Sequence, residues 1–153
     1  MQPYPPTVIL RHARENLKKC SLRGLETRPD FDFYTYPKDI LPDLSGYLLL
    51  SIDGSPLSAE DSGKGLLILD GTWRLAEKMN RFVDSKTREV LQRRSIPGGF
   101  RTAYPRRQND CPDPTAGLAS IEAIYIAYKI LGRNTDGILD QYYWKDDFLK
   151  NFP

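Results

Sequence analysis

The chain has 153 residues, 40% of them hydrophobic and 27% charged, with a formal net charge of +2. That length fits one domain around one buried core, and the balance excludes a disordered or low-complexity chain. No apolar run reaches the roughly 18 residues of a membrane span, and Met1-Gln2-Pro3-Tyr4-Pro5-Pro6 lacks the basic-then-apolar pattern of a signal peptide; a cytoplasmic protein without membrane contact is expected.

In chain order, Thr7-Val8-Ile9-Leu10 is a short β-type run, followed by a helical turn or ordered loop over Arg11 to Lys19. Phe31 to Tyr36 alternates polar and aromatic residues before Pro37, the pattern of a half-exposed strand. Tyr47 to Ser51 and Leu66 to Leu69 are apolar enough for central strands buried on both faces. Between them, Gly54, Ser55, Pro56, Ser62 and Gly63 predict a loop with at most one helical turn. Trp73, Ala76, Met79, Phe82 and Val83 keep helical spacing, with Thr72 placed to cap, and Asp84 to Arg94 is expected to form a second helix. Pro97-Gly98-Gly99 ends it, Phe100 to Tyr104 is a further strand candidate, and Gln108 to Gly117 is an irregular loop. Leu118 to Leu131 is the strongest helix, with Glu122 near its start and Gly132 past its end; Asp136 to Lys150 is expected to form a last one. Alternating strands and helices predict an α/β domain with a mainly parallel sheet, spanning 1–153.

Cys20 and Cys111 have no CxxC spacing and His12 is the single histidine, so free thiols and no metal site are expected. The basic residues are unevenly placed. Arg81, Lys86, Arg88, Arg93, Arg94, Arg101, Arg106 and Arg107 face only Asp84 and Glu89 in one segment. Arg11, Arg14, Lys18, Lys19, Arg23 and Arg28 face Glu15 and Glu26 in another. Two such segments can present a phosphate-binding face without a strongly basic chain, which points to RNA. Arg11, Arg14, Lys18, Lys19, Arg23, Arg93, Arg94, Arg101, Arg106 and Arg107 are the candidates for phosphate contact.

The most informative stretch is Leu66-Leu67-Ile68-Leu69-Asp70-Gly71-Thr72-Trp73, where a buried strand stops at a carboxylate and the period changes to that of a helix. Ligands of open α/β sheets bind beyond the carboxyl ends of strands, so Asp70 and Trp73 would stand at a ligand site. Asp70 could act as a proton acceptor, anchor an amino group, or simply cap the helix.

Asp70-Gly71-Thr72-Trp73 also resembles the signature of the DTW-domain family, as do Arg11-His12 with Glu15 and the helix start Leu118-Ala119-Ser120-Ile121-Glu122-Ala123. Lys19-Cys20-Ser21-Leu22 is similar instead to the related ribosomal-RNA branch. The resemblance implies a SPOUT-like fold with a C-terminal trefoil knot. It also implies transfer of the 3-amino-3-carboxypropyl (acp) group from S-adenosylmethionine to a uridine in tRNA, leaving methylthioadenosine and requiring no metal. On this basis Asp70 is the catalytic candidate. Leu69, Asp70, Trp73, Phe100, Leu118, Ser120 and Ala123 are the cofactor-binding candidates, with Ser21 and Ser62 as further ones. Ser120 stands where the motif has Thr and keeps a hydroxyl, whereas Ala119 replaces a Ser and loses one. The alternatives are the same transfer to a uridine or (methyl)pseudouridine in small-subunit rRNA, a SPOUT RNA methyltransferase, and a non-catalytic RNA-binding protein. The oligomeric state is left open by the sequence.

Overall fold

The computed structural model describes residues 4–13, 22, 24–70, 73–86, 91–100, 103, 119–150 and 152, with the side chains of 52, 53 and 73–76 left out. Among the described residues five strands form one sheet: β1 (Thr7–His12), β2 (Phe31–Tyr36), β3 (Tyr47–Pro56), β4 (Gly65–Asp70) and β5 (Gln92–Ser95). Their spatial order is β2-β1-β4-β3-β5, and every pairing is parallel. The α-helices among the described residues are α1 (Trp73–Lys86), α2 (Ser120–Leu131) and α3 (Lys145–Lys150). The α/β class and the parallel sheet are therefore as the alternating pattern predicts.

The apolar runs of β1 and β4 are continuous because both faces of these central strands are covered. Ile9, Leu66 and Ile68 point to one face, where Ile121, Ile124, Ala127 and Tyr128 of α2 pack on them. Val8, Leu10 and Leu67 point to the other, under Met79 and Val83 of α1. Several of these side chains are fully buried, each contributing about 1.5–3 kcal/mol of transfer free energy. β2 is an edge strand with a mostly half-buried pattern, as its alternation predicts.

Local chemistry sets the register and the helix ends. Tyr47 pairs with Gly65 across β3 and β4, and a β-carbon at Gly65 would sit 2.5 Å from the Tyr47 ring. Only glycine admits that ring, whose hydroxyl then donates to the Pro6 carbonyl at 2.6 Å. α2 ends at Gly132, with φ 72°, where the amides of Gly132 and Arg133 donate to the carbonyls of Lys129 and Tyr128, the Schellman arrangement. Behind α2 the Tyr128 hydroxyl meets Thr7 at 2.7 Å, and burial pushes its phenol above the ordinary range. Among the described residues no helix is long and apolar enough to cross a membrane.

Four expected elements differ. Gln92–Ser95 is a strand, not the end of a helix begun at Asp84: its polar side chains suit a sheet edge, and Arg93 and Arg94 find partners in Asp84, Asn80 and Asp61. Arg11 and His12 continue β1 rather than opening a helical turn. β3 runs to Pro56, past the predicted end at Ser51, through a register shift between Leu50 and Ser55. The terminal helix is confined to Lys145–Lys150, because Gly137 takes φ 82° and successive turns, not a helix, bury Ile138, Leu139 and Tyr142. Phe100 and Ala103 are not in a strand; the rest of that stretch, the 108–117 loop, Cys20 and Cys111 lie outside the described residues. The implied knot turns on the chain path over 104–118, also outside them.

Candidate functional site

In chain order β1 is followed by β2 on one side of it, whereas β4 is followed by α1 and then β5 on the other side. The connections leaving the neighbouring strands β1 and β4 thus diverge. A parallel sheet opens its ligand crevice at such a point, beyond the carboxyl ends of the two strands. The last register pair of β1 and β4 there is Arg11 with Asp70. They share the parity of Ile9 and Ile68, so both side chains point to the face covered by α2.

There the Arg11 Nε donates to Asp70 Oδ2 at 3.3 Å, and the Ser120 hydroxyl donates to Asp70 Oδ1 at 3.3 Å. Both oxygens of one buried carboxylate, 5% exposed, are thereby fixed in orientation by groups from two other elements. The guanidinium of Arg11 also lies 4.7 Å above the Phe33 ring and 3.7 Å from Glu26 Oε2. Ser120 is the first residue of α2, whose opening N–H groups have no acceptor within the helix. A fixed carboxylate beside a helix start suits a zwitterionic amino-acid end, with its ammonium on the first and its carboxylate on the second.

Asp70 and Ser120 are brought together, and Ala123 follows Ser120 by three residues on the same face of α2 and is half-buried. Trp73 opens α1 just past Asp70; its side chain lies outside the described part. The Leu69 side chain points away, into the α1-side cluster, because strand neighbours alternate faces; only its backbone can reach a ligand beside Asp70. Phe100 packs on the α2-side core, its ring 5.5 Å from that of Phe152.

Ser62 does not belong to this site. It precedes β4, at the opposite edge of the sheet, about 17 Å or more from Asp70 along five strand steps. Its carbonyl accepts from Arg133, beyond the far end of α2. Arg11 is likewise corrected as a phosphate contact: its side chain is 11% exposed and bound into the Asp70 pair. Arg93 and Arg94 are half-buried, with their charges balanced locally by Asp84 at 3.3 Å and Asp61 at 3.2 Å. Ser21, Leu118, Arg14, Lys18, Lys19, Arg23, Arg101, Arg106 and Arg107 lie outside the described residues. His12, on the α1 face, is buried, its ring tilted against that of Tyr36 at 5.3 Å.

Sequence reasoning overlooked two carboxylates that organise this edge. Glu26 reaches Arg11, and it has no motif to mark it. Glu122 is fully buried and accepts from the Ala119 amide at 2.8 Å, the Ala103 amide at 2.7 Å and the Tyr142 hydroxyl at 3.0 Å. Its place three residues after the N-cap, half of a capping box, is the signal that could have found it.

No family model and no curated protein matches the chain. Among solved structures it is similar to the SAM-dependent rRNA:acp-transferase Tsr3 from Vulcanisaeta distributa, with a TM-score of 0.67 and 21% identity, over 95% of this chain and 77% of that one. At that identity the likeness is one of fold: the chain has the α/β architecture of an acp-transferase.

Proposed function

We propose that this protein transfers the acp group of S-adenosylmethionine to a pyrimidine in ribosomal RNA. The observation that carries the proposal is the buried Asp70 carboxylate, fixed by Arg11 and Ser120 at the switch point of a sheet with the fold of an rRNA:acp-transferase. The sequence motifs favour tRNA; the substrate named for the structural neighbour favours rRNA, and rRNA is the acceptor adopted here.

Bound in the crevice, S-adenosylmethionine would supply a carbon already activated by its sulfonium leaving group. The chain is then left with binding, orientation and the handling of one proton. Asp70 holds the donor's ammonium or accepts the proton that the pyrimidine nitrogen must lose. Ser120 and the first turn of α2 hold the donor's carboxylate. Which of the three sulfonium carbons reacts depends on which one is presented in line to the nucleophile, at about 3–3.5 Å. The basic segments supply phosphate contacts that position the RNA without reading its sequence.

Incubation of the protein with unmodified rRNA and, separately, tRNA, using donor labelled at the carboxyl carbon or at the methyl, tests this. Carboxyl label in rRNA with methylthioadenosine as coproduct is expected. Label arriving only from the methyl group would make the protein a methyltransferase, and label in tRNA alone would restore the other acceptor.

A further inference from the structure

Arg11, Arg93 and Arg94 are engaged by carboxylates, so phosphate contacts from the described residues fall to other cations. Three of these, Lys38, Lys64 and Lys86, line a cavity of about 770 Å³ at the amino ends of β3 and β4. Lys64 Nζ donates to Gln92 Oε1 at 3.4 Å, and Lys86 Nζ lies 5.7 Å from the centre of the Phe82 ring. Among the described residues none of the three ammonium groups meets a carboxylate. The carboxylates of the cavity wall are taken up by their own loop, Asp39 by the Thr35 amide and Asp43 by Ser45. α1 leads to this place from the candidate site. It begins just past Asp70 at the carboxyl edge, runs for about 20 Å at 1.5 Å per residue, and ends at the cavity with Phe82 and Lys86 in the wall. Lys78 and Arg81 are exposed on the way, with Glu77 beside them, and among the described residues neither is paired with a carboxylate.

We propose that the exposed side of α1 and the cavity at its end form a second contact surface for the RNA, where backbone phosphates meet Lys38, Lys64, Lys78, Arg81 and Lys86. This rests on the RNA reading above and extends it to residues that touch neither the donor nor the acceptor base. A cation without a carboxylate partner gives up only water and counterions when it meets a phosphate, and release of the RNA's own counterions supplies the affinity. An acidic protein segment also carries anions. RNA is favoured because α1 joins the two places: a strand whose acceptor base stands at Asp70 can lay its neighbouring phosphates along the helix as far as the cavity. Contacts of this kind position the RNA and read no sequence.

The probes are unmodified small-subunit rRNA and polyglutamate, each bound to the full chain at salt concentrations from about 50 to 200 mM. Lys38→Gln, Lys64→Gln and Lys86→Gln are combined in one variant, since each phosphate contact carries a slope of about 0.7–0.9 in log K against log salt. For rRNA that slope should flatten by about two, and the affinity at about 0.1 M salt should fall about tenfold or more. Lys38→Arg, Lys64→Arg and Lys86→Arg together should restore both, because the charge is kept. Lys129→Gln, at an exposed position of α2 on the other face of the sheet, should leave the slope as it is. S-adenosylmethionine affinity, read by calorimetry, should stay within about twofold in the glutamine variant, because the strands separate cavity and Asp70 by more than the screening length of about 10 Å at 0.1 M salt. An unchanged slope and affinity, in a protein whose wild type binds rRNA, overturns this inference and spares the proposed function. Loss of polyglutamate binding with rRNA affinity retained also overturns it, and makes the cavity a docking site for an acidic protein. A wild type that binds no rRNA overturns both.

Discussion

Replacing Glu122 tests how the edge of the sheet is held together. Its carboxylate takes three donors, two of them backbone amides, from the start of α2, from Ala103 and from the C-terminal segment. Glu122→Ala strands the Ala119 amide and the Tyr142 hydroxyl, both on buried residues, and each unsatisfied buried donor costs about 1–3 kcal/mol. The Ala119 bond is itself the half of the capping box that Glu122 supplies, so the two stranded donors at about 2 kcal/mol each give a destabilisation near 4 kcal/mol. At about 2–4 °C per kcal/mol for a chain of this size, the melting temperature should fall by roughly 8–16 °C. Tyr142→Phe removes only one donor and should cost about 1–1.5 kcal/mol. Since both substitutions break the same bond, Tyr142→Phe should add almost nothing in the Glu122→Ala background. Urea unfolding followed by circular dichroism measures all three variants. A Glu122→Ala midpoint indistinguishable from wild type, or full additivity with Tyr142→Phe, would refute the idea that this carboxylate ties the three segments.

The other predictions concern the pair, the register and the response to acid. Asp70→Ala should abolish acp transfer while leaving RNA affinity within a few-fold, as read by filter binding. It should also cost about 1.5–3 kcal/mol of stability, because Arg11 loses its charged hydrogen bond to Asp70 while Glu26 stays at 3.7 Å; full turnover would remove Asp70 from the mechanism. Gly65→Ala forces the Tyr47 ring aside and breaks its bond to Pro6, a loss of about 2–3 kcal/mol; a change below about 0.5 kcal/mol would mean the ring moves freely. Burial works to raise the pKa of Asp30, but the paired bonds from Arg28 at 2.9 and 3.0 Å and the Tyr128 hydroxyl outweigh it, holding the carboxyl below the usual range. A lowered folded value means stability that is present above the ordinary carboxylate pKa of about 3.9 and is lost as pH falls through the folded one. Arg28→Gln should therefore flatten the decline of the urea midpoint between neutral pH and acid, and an equally steep decline would contradict the assignment.

The central strands were legible because burial on both faces leaves runs such as Val8-Ile9-Leu10 and Leu66-Leu67-Ile68 that little else explains. α2 was legible through its Ala-, Ile- and Leu-rich run, with Glu122 near its start and Gly132 past its end. β5 was not, since Gln92-Arg93-Arg94-Ser95 carries no apolar signal: the strand exists because an open sheet edge accepts it and because Asp84, Asn80 and Asp61 wait for its arginines. Asp70 and Ser120 were found as separate letters. Their contact depends on how a helix 50 positions later crosses the sheet, and no local pattern encodes that. Arg11 misled for the same reason, because a basic residue in a basic segment reads as a surface charge until its register partner is known to be a buried aspartate.

Volume alone would have chosen another place. A cavity of about 770 Å³ opens at the amino ends of β3 and β4, on the α1 side, lined by Leu41, Leu44, Tyr47, Phe82 and Leu91 among others. Its two carboxylates serve the surrounding loop: Asp39 accepts the Thr35 amide at 2.8 Å, and Asp43 accepts the amide and hydroxyl of Ser45 at 3.0 and 2.7 Å. At the Asp70 edge, by contrast, β1, β4 and α2 each deliver one polar group to a common point, and both α1 and α2 begin there with their positive dipole ends. A zwitterionic ligand needs opposite charges at fixed separation. In a parallel sheet the strand carboxyl ends supply them by construction, because helices start where strands stop. Convergence of groups distant in sequence, rather than empty space, therefore marks the candidate site of this molecule.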